Sequence, residues 1–298
     1  MGGYAVKKIC VIGSINYDLV VNSEKFPVAG ETLFGESFKE FYGGKGANQA
    51  VAAAKLGSNV TFFGKVGNDT FGSKLLSNFS DYNINIGNIE SENTSSGTAV
   101  ITIAENNNTI IVISGANEKV DINYIQDRKQ EILSNDIIIC QLEIPLRTVE
   151  YIAEICKQNN KIFILNPAPA KKLSEELINN CTYITPNEIE ILQITEEVSI
   201  NKVLEKYPNK MILTNGENGI KYYDGNEIVV VDAADVNVLD TTGAGDTFNG
   251  AFAYALSNEM SVKEAVEFAN VAAGLSVTKI GAQIGIPSID EIHEMRTL

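Results

Sequence analysis

Eleven residues, DTTGAGDTFNG from Asp240 to Gly250, set two aspartates among three glycines ahead of an apolar, helix-like run, AFAYAL. A helix start carries unpaired N–H groups and about half a positive charge. Glycines there clear the way for an anion to reach the backbone. A carboxylate in the same turn, Asp246, could take a proton from an attacking hydroxyl. A helix beginning near Thr247 would leave unpaired N–H groups at its first turn, and Gly243 and Gly245 carry no side chain to block them. A turn with a capping aspartate accounts for the same residues more simply.

Two other stretches carry similar chemistry. FYGGKGANQAVAAAKLG, Phe41 to Gly57, puts Gly43 and Gly44 before an Ala-rich helix with Asn48 in its first turns. A glycine turn before a packing helix is the plainer alternative. GSINYD offers Asn16 and Asp18, an amide and a carboxylate suited to vicinal hydroxyls, although strand ends often carry such residues.

Other phosphate-binding patterns are missing. Gly44-Lys45 is followed by Gly46, so no G-x-x-x-x-G-K-[ST] loop is present. The first strand runs into Gly13-Ser14-Ile15-Asn16, which is not G-x-G-x-x-G. The protein-kinase motifs are also absent. The only histidine, His293, is expected to sit solvated on the last helix, which disfavours a Ser-His-Asp triad, a His-rich zinc site and a histidine base.

The elements that must position these residues follow from patterning. The chain has 298 residues, 44% hydrophobic and 20% charged, with a formal net charge of −15. That is ample for one large α/β domain, and the acidic surface argues against nucleic acid and anionic membranes as partners. Cys10, Cys140, Cys156 and Cys181 form no C-x-x-C pair and read as buried free thiols, which fits a cytoplasmic location. The N-terminal run MGGYAVKKICVIG leads straight into a strand and lacks a secretory pattern, and no apolar run approaches a membrane span.

KKICVIG, NVTFFGKVG, NDIIICQLE, KIFILNPAP, CTYITPN and KMILTNG read as strands buried on both faces of a parallel sheet. Helical segments separate them, including GANQAVAAAKLG, GSKLLSNFSDYN, INYIQDRKQEIL, PLRTVEYIAEICKQ and SVKEAVEFANVAAGLSVTKI. The expected fold is α/β, a three-layer α/β/α sandwich with a mainly parallel central sheet. Ligands in such sheets bind beyond the strands' carboxyl ends, where Asn16, Asp18, Glu143, Asn166 and Asn187 fall. Residues 17–43 and 97–114 break the alternation. The second is a hairpin around ENNN, and both are read as a small β-sheet lid on a single domain spanning 1–298. A decorative edge hairpin is the alternative. GIKYYDGNEIVVVD reads as a second hairpin extending a sheet.

Taken together, GSINYD, FPVAGET, GGKGANQAVAAAKLG, SGTAV, SGAN, QLEIPL, LNPAPA, TPNEIE, DTTGAGDTFNGAFAYAL and VTKIGAQIGIPS closely resemble the ribokinase branch of the PfkB family of carbohydrate kinases, over nearly the whole chain. The resemblance implies an ATP-dependent phosphoryl transfer to a sugar, with D-ribose first and 2-deoxyribose, fructose or a nucleoside as alternatives. It implies a pentose site from Asn16, Tyr17, Asp18, Gly44, Lys45, Gly46, Ala47, Asn48 and Glu143. Asp246 becomes the base, and Gly243, Ala244 and Gly245 the anion hole. Nucleotide contacts map to Asn187, Asn270 and the loop Thr214, Asn215, Gly216, Glu217, Asn218 and Gly219. Glu190, with Asn187, would organise Mg²⁺ through water. A K⁺-type monovalent cation site maps to Asp240, Thr242, Ser276, Lys279, Gly281 and Gly285, largely through carbonyls. Gly285 stands where some ribokinases carry serine, so that side-chain contact is lacking here. The family's lids often pair two subunits, which implies a homodimer. A catalytically silent sugar-binding relative is a third class, disfavoured by the presence of Asp246 and the GAG glycines.

Overall fold

The computed structural model describes residues 7–297. In chain order the strands are β1 (Ile9–Ile12), β2 (Asn16–Asn22), β3 (Ser37–Gly43), β4 (Val60–Gly67), β5 (Asn85–Glu92), β6 (Gly97–Ala104), β7 (Asn107–Ile113), β8 (Ile137–Gln141), β9 (Ile162–Asn166), β10 (Tyr183–Ile184), β11 (Ile212–Thr214), β12 (Ile220–Tyr223) and β13 (Ile228–Val231). The helices are α1 (Lys45–Lys55), α2 (Thr70–Asp81), α3 (Ile122–Asp127), α4 (Lys129–Leu133), α5 (Leu146–Gln158), α6 (Glu175–Asn180), α7 (Glu188–Thr195), α8 (Ile200–Lys206), α9 (Ala244–Ser257), α10 (Val262–Ser276), α11 (Ala282–Gly285) and α12 (Ile289–Thr297). The expected run at the extreme N-terminus, before Lys7, and Leu298 lie outside the described residues.

The central sheet has six parallel strands in the order β10-β9-β8-β1-β4-β5. Its strands alternate between two cores, as the two-residue strand period requires. Ile9 and Val11 of β1 pack with α1, α2, α9, α10 and α12 on one face. Cys10 and Ile12 pack with α3–α8 on the other. The result is a three-layer α/β/α sandwich.

Three departures from the sequence reading have local causes. β5 was not expected, because NIGNIESE is polar and sits at the sheet edge, where one row of backbone groups is unpaired. KMILTNG opens a separate antiparallel sheet, β11-β12-β13, joined to the main one by the parallel bridges Ile184↔Met211 and Asn187↔Thr214. INYIQDRKQEIL is two helices, broken where the Arg128 side chain donates to the Tyr124 carbonyl at 3.2 Å.

A second sheet, β3-β2-β6-β7, stands apart from the main one. Its β6–β7 hairpin turns on Glu105 and Asn106, both with positive φ (53° and 55°), the geometry that matches strand twist in two-residue hairpins. Every residue of β7 is exposed.

Candidate active site

The site is set by how closely α1 approaches α9. A Cβ on Gly250 would lie 2.5 Å from the Ala52 Cβ, so only small residues allow this contact. That closeness brings the amides of Asn48 and Gln49 to the first turn of α9. Asn48 Nδ2 donates to one Asp246 oxygen at 3.0 Å, and Gln49 Nε2 donates to the other at 2.9 Å. Asp246 is 7% exposed. The helix starts at Ala244, three residues before the expected Thr247, because Gly243 takes a left-handed conformation (φ 79°) as its N-cap. Asp246 therefore lies inside the first turn. Of the three expected anion-hole amides, that of Ala244 donates to the Thr241 carbonyl at 3.2 Å. Gly245 is exposed, and among the described residues nothing accepts from its N–H.

The residues expected to bind hydroxyls gather where β2 leaves the main sheet. Asn117 Oδ1 accepts from the Ile15 N–H at 3.0 Å, and its Nδ2 donates to Asn16 Oδ1 at 2.8 Å. This leaves the Asn16 amide nitrogen as the end available to a ligand. Gly44 has φ 87°, and a Cβ there would lie 2.7 Å from the Asn16 backbone nitrogen, so glycine is required. Glu143 accepts from the Lys45 N–H at 3.0 Å and from the Ser14 hydroxyl. Ser14 in turn accepts from Gly46 N–H at 3.2 Å and, through its carbonyl, from Ala47 N–H at 2.9 Å. The Asp18 carboxylate lies over Gly43, where a Cβ would come within 2.2 Å of it. Burial, and then the charge of Glu143, push Asp18 up to about 7. The Tyr17 side chain points elsewhere. It stacks on Phe71, donates to Glu40 at 2.9 Å and accepts from Lys74 at 2.9 Å.

On the other side of Asp246 a cleft of about 200 Å³ is lined by Lys45, Asn166, Asn187, Glu190, Thr214, Gly243, Ala244 and Gly245. Asn187 and Glu190 form a reciprocal capping box at the start of α7: Asn187 Oδ1 accepts from Glu190 N–H at 2.8 Å, and a Glu190 oxygen accepts from Asn187 N–H at 2.9 Å. Burial and the charge of Asp246 raise Glu190 despite the Asn187 N–H and Lys45. Burial opposes the charge on Lys45, but Asp246, Glu143 and Glu190 together hold its ammonium above the usual lysine range. The cleft thus joins unpaired helix-start N–H, one cation and two carboxylates, a set suited to a phosphate chain carried with a metal ion. A larger, open depression of about 600 Å³ over β12, β13 and the start of α10 touches none of these groups.

The sequence profile of the pfkB family carbohydrate kinases matches residues 6–289. The chain belongs to this family. A ribokinase from Bacillus subtilis (strain 168) is 44% identical over 291 residues, covering 97% of this chain and 99% of that protein. A ribokinase structure from Thermotoga maritima superposes with a TM-score of 0.91 at 34% identity, covering 98% of this chain and 100% of that one. The ribokinase of Arabidopsis thaliana, solved with ribose and ATP, gives a TM-score of 0.91 at 28% identity, covering 99% and 100%.

In this carbohydrate kinase the remaining expected residues fall into two groups. Asp240 bridges two segments, accepting from Thr242 N–H at 2.9 Å and Gly281 N–H at 2.8 Å. Burial pushes its carboxyl up, and the Thr242 side chain together with these N–H donors outweighs it, leaving it below the ordinary range. A Cβ on Gly285 would lie 2.5 Å from the Ser276 carbonyl oxygen and 3.6 Å from that of Lys279, so those oxygens converge on one spot. Among the described residues no group of three or more His, Cys, Asp or Glu could hold a metal. Asn215 N–H closes the Thr214–Gly219 loop on the Gly219 carbonyl at 2.8 Å, with Gly216, Glu217 and Asn218 in a 3₁₀ turn. Asn270 is 8% exposed and donates to the Asp232 carbonyl at 2.7 Å. It is not among the residues lining the cleft. Sequence reasoning missed Gln49, Asn117, Gln141, Gln283 and Asn78, buried amides whose partners lie far away in the chain.

Proposed function

We propose that this chain transfers the γ-phosphoryl group of ATP to the 5-hydroxyl of D-ribose, giving D-ribose 5-phosphate and ADP. The observation that carries the reading is Asp246. It sits buried between Asn48 on the hydroxyl-binding side and the exposed Gly245 N–H on the cleft side. The ribokinase relatives support ribose as the acceptor.

Asn16, Asp18, Asn48 and Glu143 orient the sugar through its hydroxyls. An analogue lacking one would leave a buried polar group unpaired, which is costly. Asp246 accepts the 5-hydroxyl proton as that oxygen attacks phosphorus. Gly245 and Gly243 leave room at the helix start for the charge that develops on the phosphoryl oxygens. Lys45 offsets the repulsion between Asp246 and phosphate.

Asn187 and Glu190 fit Mg²⁺ held through water, since Glu190 keeps one oxygen outside its capping box and lines the cleft. When bound, Mg²⁺ would neutralise phosphate charge. The carbonyls of Ser276 and Lys279, with the Asp240, Thr242, Gly281 and Gly285 backbone, fit a monovalent cation such as K⁺ behind the anion hole. Asn270 and the Thr214–Gly219 loop are assigned to the nucleotide.

We read residues 1–298 as one kinase domain with a lid from about 17–43 and 97–114. The lid excludes water, because a bare site would hydrolyse ATP. Its exposed strand β7, with Ile110, Ile111, Val112 and Ile113, supports pairing with a second copy as a homodimer. The cytoplasm is the proposed compartment. Among the described residues all four cysteines are free and buried, and no helix is long and apolar enough to cross a membrane.

A sugar panel with coupled ADP detection tests the activity. Ribose is expected to give the highest kcat/KM. Robust turnover of 2-deoxyribose, fructose or adenosine with none of ribose contradicts the assignment. K⁺ is expected to activate above Na⁺, and equal rates across a titration would remove the cation site.

A further inference from the structure

We propose that Gln283 is a positioning residue: it fixes which end of the Asn48 amide faces Asp246, and so ties the base to helix α11. The inference deepens the kinase reading above and rests on Asp246 as its base.

An asparagine amide has two ends of nearly equal size and opposite hydrogen-bonding character. With Nδ2 toward Asp246, Asn48 donates to the carboxylate. With Oδ1 toward it, two acceptors would face each other. The carboxylate favours the first state, and the partner of the far end either reinforces or opposes that choice. Here Gln283 Nε2 donates to Asn48 Oδ1 at 3.1 Å, and Asn78 Nδ2 donates to Gln283 Oε1 at 2.9 Å. Three amides thus run with one polarity from α2 through α11 and α1 to the base on α9. Asn78, Gln283 and Asn48 are all 5–7% exposed, so water cannot readily substitute for a missing donor. A second arm reaches the other Asp246 oxygen. Gln141 Nε2 donates to Gln49 Oε1 at 2.7 Å, and Gln49 Nε2 donates to Asp246 at 2.9 Å.

The two arms differ in their supports. Gln141 sits at the end of β8, in the middle of the main sheet. Gln283 sits on the four-residue helix α11, between α10 and α12 and outside the main sheet. Gly281, just ahead of α11, donates to Asp240 and lies beside the Phe41 ring of β3. Ala282 packs on Gly243, the N-cap of α9, where an added Cβ would lie 2.7 Å from the Ala282 Cβ. A shift of the Asp240 loop or of β3 therefore reaches the base through Gln283.

The test compares Gln283→Glu, which keeps the shape and only accepts, with Gln283→Met, which keeps the length and does neither. Asn78→Leu serves as a third variant that touches neither Asn48 nor Asp246, should the first two fail to fold. For Gln283→Glu, kcat is expected to fall about tenfold or more and the sugar KM to rise, as for loss of a hydrogen bond to a charged group, with the ATP KM within about twofold. Gln283→Met gives a smaller loss with the same split. The ¹⁵N–¹H₂ signal of the Asn48 side chain reads the arm without turnover. Its exchange with solvent is expected to be slow in the wild-type protein and at least about tenfold faster in Gln283→Glu. Unchanged Asn48 exchange and unchanged kcat in folded variants would overturn the proposal. Wild-type protein that fails to turn over ribose but shows the expected Asn48 response would remove the ribose reading alone.

Discussion

Two aspartates, Asp246 buried and Asp18 half-buried, stand on either side of the site and are treated in opposite ways. Asp246 has both oxygens held by amide donors from a neighbouring helix. Asp18 is also enclosed, yet among the described residues no side chain or N–H donates to its carboxylate. Burial, and then the like charge of Glu143, push it up to about 7. The contrast separates two tasks. A base must stand in one place through every turnover, so the protein supplies its partners. On the proposed reading Asp18 binds a sugar hydroxyl, and the hydrogen-bond partner that the protein does not give it comes from the ligand.

Among variants that leave the base in place, the largest expected effect on that comparison comes from Asp18→Asn. Sugar affinity should fall about 10–100-fold, the scale of a hydrogen bond to a charged group. Stability should move the other way. Asp18 is pushed up to about 7 in the folded protein, above its ordinary value of 3.8. The folded protein therefore binds the extra proton between those values, and its stabilising effect is complete below about pH 4 and lost as pH rises through 7. The wild-type protein should lose on the order of 3 kcal/mol across that window from this group. Urea unfolding at pH 5 and pH 8 measures it. Equal slopes for wild type and Asp18→Asn would show that Asp18 is not held uncharged.

Glycines sharpen the same contrast between site and scaffold. A Cβ on Gly245 meets nothing within 4 Å. Gly245→Ala should thus keep its unfolding midpoint while kcat or ATP KM worsens by roughly tenfold, because the methyl enters the phosphate cleft. Gly250→Ala should instead lose stability, by about 1–3 kcal/mol, as α1 is pushed from α9. Calorimetry and steady-state kinetics on the two variants check this, and similar behaviour in both would erase the distinction. The smallest effect on chemistry is expected for Ile111→Glu on β7. Light scattering should report a monomer, with monomer stability within about 0.5 kcal/mol of wild type. An unchanged dimer would move the interface elsewhere.

The sequence made some of this legible for physical reasons. Continuous β-branched runs announced five of the six central strands, and the clustered glycines with Asp246 announced the helix start. β5 escaped because its side chains alternate without apolar bias at a sheet edge. The exact onset of α9 depended on Gly243 taking a left-handed conformation, which glycine permits without requiring. The Asn187–Glu190 pair is both a phosphate-cleft feature and a capping box, a pattern visible in N-x-x-E spacing alone. The amides of Gln49, Asn117, Gln141 and Gln283 were not legible. Their meaning lies in partners 92 to 235 residues away, which only the packed fold brings together.

The direct test of the account is kcat of Asp246→Asn at saturating ribose and ATP. The substitution preserves shape and removes the proton acceptor. It should cut kcat by about 10²–10⁴ while ribose binding stays within several-fold of wild type. Turnover close to the wild-type rate would contradict Asp246 as the base.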